Sequence, residues 1–173
     1  MRAIAVVIAS LLAAGCATTV TPADNTAHAE LRNAGGQVVG TAMLTQVGNA
    51  VRVVLEAQGL PPGVKGVHIH AVGKCDPPDF TTAGSHFNPQ GRQHGALNPQ
   101  GPHAGDLPNI TIAPDGKGRL ESTTQLVTLL TGPTSVFDAD GSAIVVHAAP
   151  DDFRTDPTGN SGARIACGVI VKK

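Results

Sequence analysis

The side chains of this sequence that could do chemistry are its histidines, and they are unevenly spread. Of seven in 173 residues, His86, His94 and His103 stand in the single segment HFNPQGRQHGALNPQGPHAGD, with Asp106 three positions after the last. Gly, Pro, Asn and Gln dominate that segment, so it carries neither a helical nor a strand period. A long structureless loop in a compact domain needs an anchor, and imidazoles beside a carboxylate can supply one by gripping a metal ion. His68 and His70 lie two apart in GVHIHA; on a strand both rings project from one face and Ile69 from the other. His147 ends AIVVH, an apolar run that reads as a buried strand presenting its last ring beside that pair. Alone, such a pair is more often two polar strand residues, and a histidine after four apolar residues is more often a satisfied core residue. Taken together, six of the seven histidines fall at these strand positions or in the loop between them.

These six plus Asp106 make seven candidate ligands, whereas two four-coordinate sites need eight. An imidazole shared between two dications closes the gap, because a fully deprotonated ring has two donor nitrogens; a water ligand would close it too. Four imidazoles without sulfur suit Cu(II) in tetragonal geometry, and three imidazoles with a carboxylate suit a closed tetrahedral zinc.

The elements that must position these groups are short β-type runs: HAELRN, GQVVGTAMLTQVG, AVRVVLEAQ, GVHIHAVG, NITIA, GRLESTTQ, SAIVVHA and ARIACGVIVKK, about eight in all. Gly35-Gly36, GLPPG and PDGKG punctuate them, and only STTQLVTLL could form a helical turn or two. The pattern predicts an all-β fold, an eight-stranded antiparallel sandwich or barrel with two long functional loops, residues 73–107 and 148–162.

Composition narrows the partners. Thirteen acidic and twelve basic residues give a formal charge of −1 with no basic block to follow a phosphate backbone, and aromatics make up 2% with no Trp or Tyr, so nucleic acid is not an expected partner. The opening MRAIAVVIASLLAAGC has one positive residue, a short apolar run and small residues ending at Cys16, as an export signal does. Its LAAGC resembles a bacterial lipobox, which would make Cys16 the lipidated first mature residue; ordinary signal cleavage is the alternative. The expected organisation is a signal peptide over 1–15, a flexible tether over 16–27 and one domain over 28–173. With Cys16 committed to lipid, Cys75 and Cys167 are left for each other in an oxidising compartment, or remain as two free buried thiols.

GVHIH, AGSHFNP, RQH, HAGDLPNI, VVHAAPDD and GNSGARIACGVI resemble the successive motifs of the bacterial copper/zinc superoxide dismutases, over nearly all of residues 28–171. That family has a Greek-key β-sandwich or barrel. The resemblance implies copper on His68, His70, His86 and His147, and zinc on His86, His94, His103 and Asp106, with His86 as the shared imidazolate. Asp151 matches the carboxylate that accepts hydrogen bonds from one copper and one zinc histidine, here His68 and His94. Arg164 matches the guanidinium beside the open copper position, and Cys75 and Cys167 match the intrasubunit disulfide. The implied activity is dismutation of superoxide to oxygen and hydrogen peroxide by copper cycling, His86 carrying a proton. The implied setting is periplasmic, tethered by lipid on Cys16, as a monomer or homodimer.

Two positions depart from the family pattern. Ala71 stands where many relatives have a glutamate, and Pro157 where some have a lysine that attracts the anion; Lys74 and Arg154 are candidates to compensate. His28 lies outside both sets and reads as a strand-edge or surface residue. Three rival functions are weaker. A metal carrier should offer sulfur ligands, and only Met43 follows the export signal; a zinc hydrolase needs an open zinc position and a spare base, and Asp106 closes the one while the other is missing. A structural sandwich stabilised by metal would have no copper-dependent activity.

Overall fold

The computed structural model describes residues 25–173, so the expected signal peptide and Cys16 lie outside the described residues. Ten strands form: β1 (Thr26–Asn33), β2 (Val38–Val47), β3 (Ala50–Ala57), β4 (Gly63–Lys65), β5 (Val67–His70), β6 (Ile110–Ile112), β7 (Gly118–Thr124), β8 (Ala143–His147), β9 (Arg164–Val169) and β10 (Val171–Lys172). β1 opens at Thr26, so the last two residues expected in the tether already belong to the sheet. The eight expected runs are all strands. Two short strands come in addition: β4 rises from the GLPPG turn, and β10 is split from β9 at Ile170. Among the described residues the only helical element is a 3₁₀ turn, Thr81–Ala83, and STTQLVTLL makes no helix.

Alternation explains the strands. In β1, Ala27, Ala29 and Leu31 face inward while His28, Glu30 and Arg32 face out. β2 and β3 pair from Val47↔Ala50 to Gly40↔Ala57 around a two-residue turn in which Gly48, at φ 59°, supplies the positive angle such a hairpin requires. All strand pairs are antiparallel, in the order β4-β6-β7-β3-β2-β1-β9-β8-β5, with β10 added to β1, giving a nearly closed barrel. Leu31, Leu44, Val53, Leu55, Ile69 and Ile144 fill its interior, each at most 1% exposed; truncating one such Leu or Ile to Ala costs about 2–5 kcal/mol.

β5 and β8 are buried on both faces. Val67, Ile69, Ile144 and Val146 enter the barrel core, and the opposite face of the same two strands carries His68, His70, Ala143, Val145 and His147 beneath the long loops. Phe80 and Ala83 from the first loop pack on Ala143 and Val145, next to the Cys75–Cys167 disulfide, whose Cα atoms are 5.6 Å apart. The loop also runs along the free edge of β5. Ile69 N–H donates to Gly105 O and Phe87 N–H to Ile69 O, each at 2.8 Å, and bridges join His68 to Asp106 and His70 to His86.

Candidate metal centre

The two expected strand histidines and the loop histidines meet on the outer face of β5 and β8. His68, His70, His86 and His147 bring ring nitrogens within 4.8 Å of one another, and all four are buried. A second group, His68, His86, His94 and Asp106, meets the same distance. His103 stands at the rim of that group: its Nδ1 is 3.4 Å from both Asp106 Oδ1 and His86 Nδ1. His68 enters both groups because its ring stacks on His86 with centroids 3.8 Å apart.

Outer hydrogen bonds decide which nitrogen of each ring faces inward. Backbone carbonyls only accept, so His70 donates Nδ1–H to Gly84 O at 2.9 Å and His147 donates Nδ1–H to Gly162 O at 3.1 Å, which leaves both Nε2 lone pairs inward, 3.4 Å apart. Asp151 takes His68 Nε2–H on Oδ2 at 2.8 Å and His94 Nε2–H on Oδ1 at 2.9 Å, freeing both Nδ1 lone pairs. Asp106 Oδ1 lies 3.0 Å from the Nδ1 atoms of both His86 and His94, while its Oδ2 accepts the backbone N–H groups of Gly95 and His103 at 2.9 Å. His68 Nδ1 and His86 Nε2 are enclosed and have no hydrogen-bond partner. Buried lone pairs without donors are costly, and a cation coordinated by them removes that cost. The donor set therefore fits two neighbouring dications, one at each group, and His86 is one of the two rings common to both.

The electrostatics follow from burial and from the two carboxylates. Burial pushes His70 down to about 2, His147 to about 3 and His86 to about 4, so these rings are neutral bases at physiological pH. For His94 burial also acts downward, but hydrogen bonds to Asp106 and Asp151 outweigh it and raise the ring to about 9. Burial raises both carboxyl groups, yet hydrogen bonds from His103, His86 and His94 hold Asp106, and those from His68 and His94 hold Asp151, well below the usual carboxylate range. Both acids are thus negative, and a dication between these groups would take the place of the proton that they favour on His94.

Some of the positioning residues carry no signal in the sequence. Asn109 pairs its side-chain amide with the main chain of Asp151, donating to Asp151 O and accepting from Asp151 N, both at 2.9 Å. Gly159, at φ 62°, leaves room for the bridge: a Cβ there would lie 1.9 Å from Asp151 Oδ1. Asp152 orders its own loop by accepting from the N–H groups of Arg154 and Thr155 and from Asn160 Nδ2.

Beside the first donor group lies a cavity of about 380 Å³ bounded by His70, His86, His147, Thr81, Thr158 and Arg164. Arg164 is half-buried and donates to Phe80 O and Gly84 O, both at 2.6 Å, so Gly84 O holds the guanidinium and His70 at once. It is the only cation lining the cavity among the described residues; Lys74 is exposed, and Arg154 reaches instead to Leu97 O at 3.5 Å. A larger hollow of about 500 Å³ crosses β2, β3 and β7 and contains no histidine.

Fold and donor set together define a β-barrel protein with two adjoining groups of side chains able to bind metal under its loops. The sequence profile of the copper/zinc superoxide dismutase (SODC) family matches residues 38–170. Superoxide dismutase [Cu-Zn] 2 of Aquifex aeolicus is 50% identical over 149 residues, covering 85% of this chain and 87% of the relative. Superoxide dismutase [Cu-Zn] of Caulobacter vibrioides is 44% identical over 147 residues, covering 83% of this chain and 84% of the relative. The crystal structure of a SOD-like protein from Bacillus subtilis superposes with a TM-score of 0.80 at 39% identity, over 83% of this chain and 97% of that one. The chain belongs to the copper/zinc superoxide dismutase family.

Proposed function

We propose that the chain disproportionates superoxide, two O₂•⁻ and two H⁺ giving O₂ and H₂O₂, with copper held by His68, His70, His86 and His147 and zinc held by His86, His94, His103 and Asp106. Copper and zinc are the metals of the family, and when bound copper supplies the one-electron exchange while zinc supplies a fixed positive charge. The protein's own part is to admit a small anion, orient the rings and deliver a proton. Arg164 carries a permanent charge on a planar fork whose orientation two carbonyls fix, and it binds the anion at the cavity wall. His86 Nε2 is the proton carrier: Asp106 and His103 hold the ring from its Nδ1 side, so Nε2 gains and loses a proton without the ring turning. Asp151 keeps the donor nitrogens of His68 and His94 turned inward throughout. The second proton comes from water.

The observation that carries this reading is the placing of His86 in both groups, with Nδ1 3.0 Å from Asp106 Oδ1 and Nε2 buried without a partner. Superoxide removal by protein with copper supplied or withheld tests it. Activity should require copper, and Arg164→Ala should retain both metals while its rate falls by about tenfold or more. A fully metallated chain inert toward superoxide would sink the reading.

The compartment is part of the same proposal. An oxidising site outside the cytoplasm is supported by the Cys75–Cys167 bond, and an anchor at Cys16 by the LAAGC stretch. Labelling of Cys16 with a radioactive fatty acid, lost in Cys16→Ala, checks the anchor.

A further inference from the structure

A metal-binding imidazole commits one nitrogen to the ion and donates its other N–H to an outer acceptor. His68 and His94 have Asp151, His70 has Gly84 O and His147 has Gly162 O, while His86 has no nitrogen to spare. His103 is left over. With its Nδ1 turned toward Asp106 and His86, its Nε2 points outward, where Asp156 Oδ1 stands 3.7 Å away. The same oxygen accepts the backbone N–H of His94 at 2.5 Å. Asp156 belongs to the other long loop, directly before Pro157 and Thr158, which line the cavity at the first donor group. One carboxylate thus faces both His94 and His103 from a position 53 residues further along the chain than the nearer of them.

We infer that Asp156 is a positioning residue for the zinc half: its carboxylate is the anionic partner facing His103 Nε2, 3.7 Å away, and fixes the main chain at His94 by a hydrogen bond, joining the ligand loop to the loop that walls the cavity. This rests on the reading that His86, His94, His103 and Asp106 hold zinc. The charge matters as well as the contact. A dication bound by one carboxylate leaves positive charge on its imidazoles, and an anion close to His103 offsets it through space as Asp151 does by direct contact at His94. Asp156 is partly exposed, with its side chain 44% accessible, so its effect is on ligand orientation and ion retention rather than on global stability.

Competition of the metal-loaded protein with a chromophoric zinc chelator, with copper retention followed in parallel, tests this. Asp156→Ala should weaken zinc retention by about 10–100-fold and leave copper retention unchanged to within about twofold, and cobalt placed in the zinc position should show shifted visible bands. Asp156→Asn keeps an oxygen for the His94 N–H but not the charge, so it should fall between Asp156→Ala and the parent chain; it decides alone if Asp156→Ala does not fold. Parent-like zinc retention in both variants, or equal losses of zinc, copper and thermal stability, would show a plain loop tether and overturn the inference. A parent chain that holds no zinc would instead remove the reading beneath it, and the inference with it.

Discussion

At the scale of single residues, the site is decided by which atom of each ring is already occupied. Asp151 does this for two rings at once, and its own main chain is clamped by Asn109, so its carboxylate has little freedom to follow a displaced partner. Gly159 is the weak point of that arrangement. Gly159→Ala places a methyl 1.9 Å from Asp151 Oδ1 and 2.5 Å from His94 Nε2. The left-handed backbone alone costs about 1–2 kcal/mol. The variant should melt at lower temperature and be isolated with less zinc than copper, as calorimetry and metal analysis would read; unchanged zinc content would show that Asp151 tolerates displacement. The candidate ligands that the structure brings together were legible in the sequence from residue type and from the GVHIH spacing, and their division between two metals only through the family resemblance. Asp151 was legible only through the family resemblance, because a carboxylate in AAPDDF reads equally well as a solvated loop residue. Asn109, Gly159 and Asp156 were silent, since each acts on a partner at least 8 residues away that only folding brings near.

At the scale of elements, two strands supply rigid platforms and two loops supply the remaining ligands. β-type runs set off by turn residues made β1, β2, β3 and β7 readable, and burial on both faces explains the unbroken apolar run in AIVVH. β4 escaped notice because the three residues after Pro61-Pro62 are too few to show a period, and its pairing with β6 is wholly non-local. The loops are tied down by covalent and polar contacts rather than by period. Cys75–Cys167 closes a separation of 92 residues, for which the chain-entropy model gives about 4–5 kcal/mol. Phe80 O and Gly84 O, which hold Arg164, lie within ten residues of Cys75. Cys75→Ser should therefore lower the melting temperature and also slow turnover at saturating metal, the second effect tracing to a loosened guanidinium. A stability loss with an unchanged rate, measured by denaturant titration beside the superoxide assay, would separate the bond from the cavity.

At the scale of the whole molecule, steering is expected to be modest. The formal charge is −1, and Arg164 is the only cation lining the cavity among the described residues, with Asp79 close enough to act on it electrostatically. Raising ionic strength from about 0.01 to 0.1 M shortens the screening length from about 30 to 10 Å. The rate constant for superoxide, read by pulse radiolysis, should fall across that range by less than about tenfold and lose most of its salt dependence in Arg164→Ala. A steep dependence surviving in that variant would locate the steering charge elsewhere, with Lys74 and Arg154 the first to replace. Among the described residues the strand order leaves the barrel open between β4 and β5, and the rim at β5 is where the histidine loop lies down, strand-like, through Ile69, Gly105 and Phe87. The segment that brings the ligands is thus also the guard on the sheet's unpaired border. A chain that keeps its ions keeps that border covered, and resistance to sheet-to-sheet clumping comes with the chemistry rather than from a separate device.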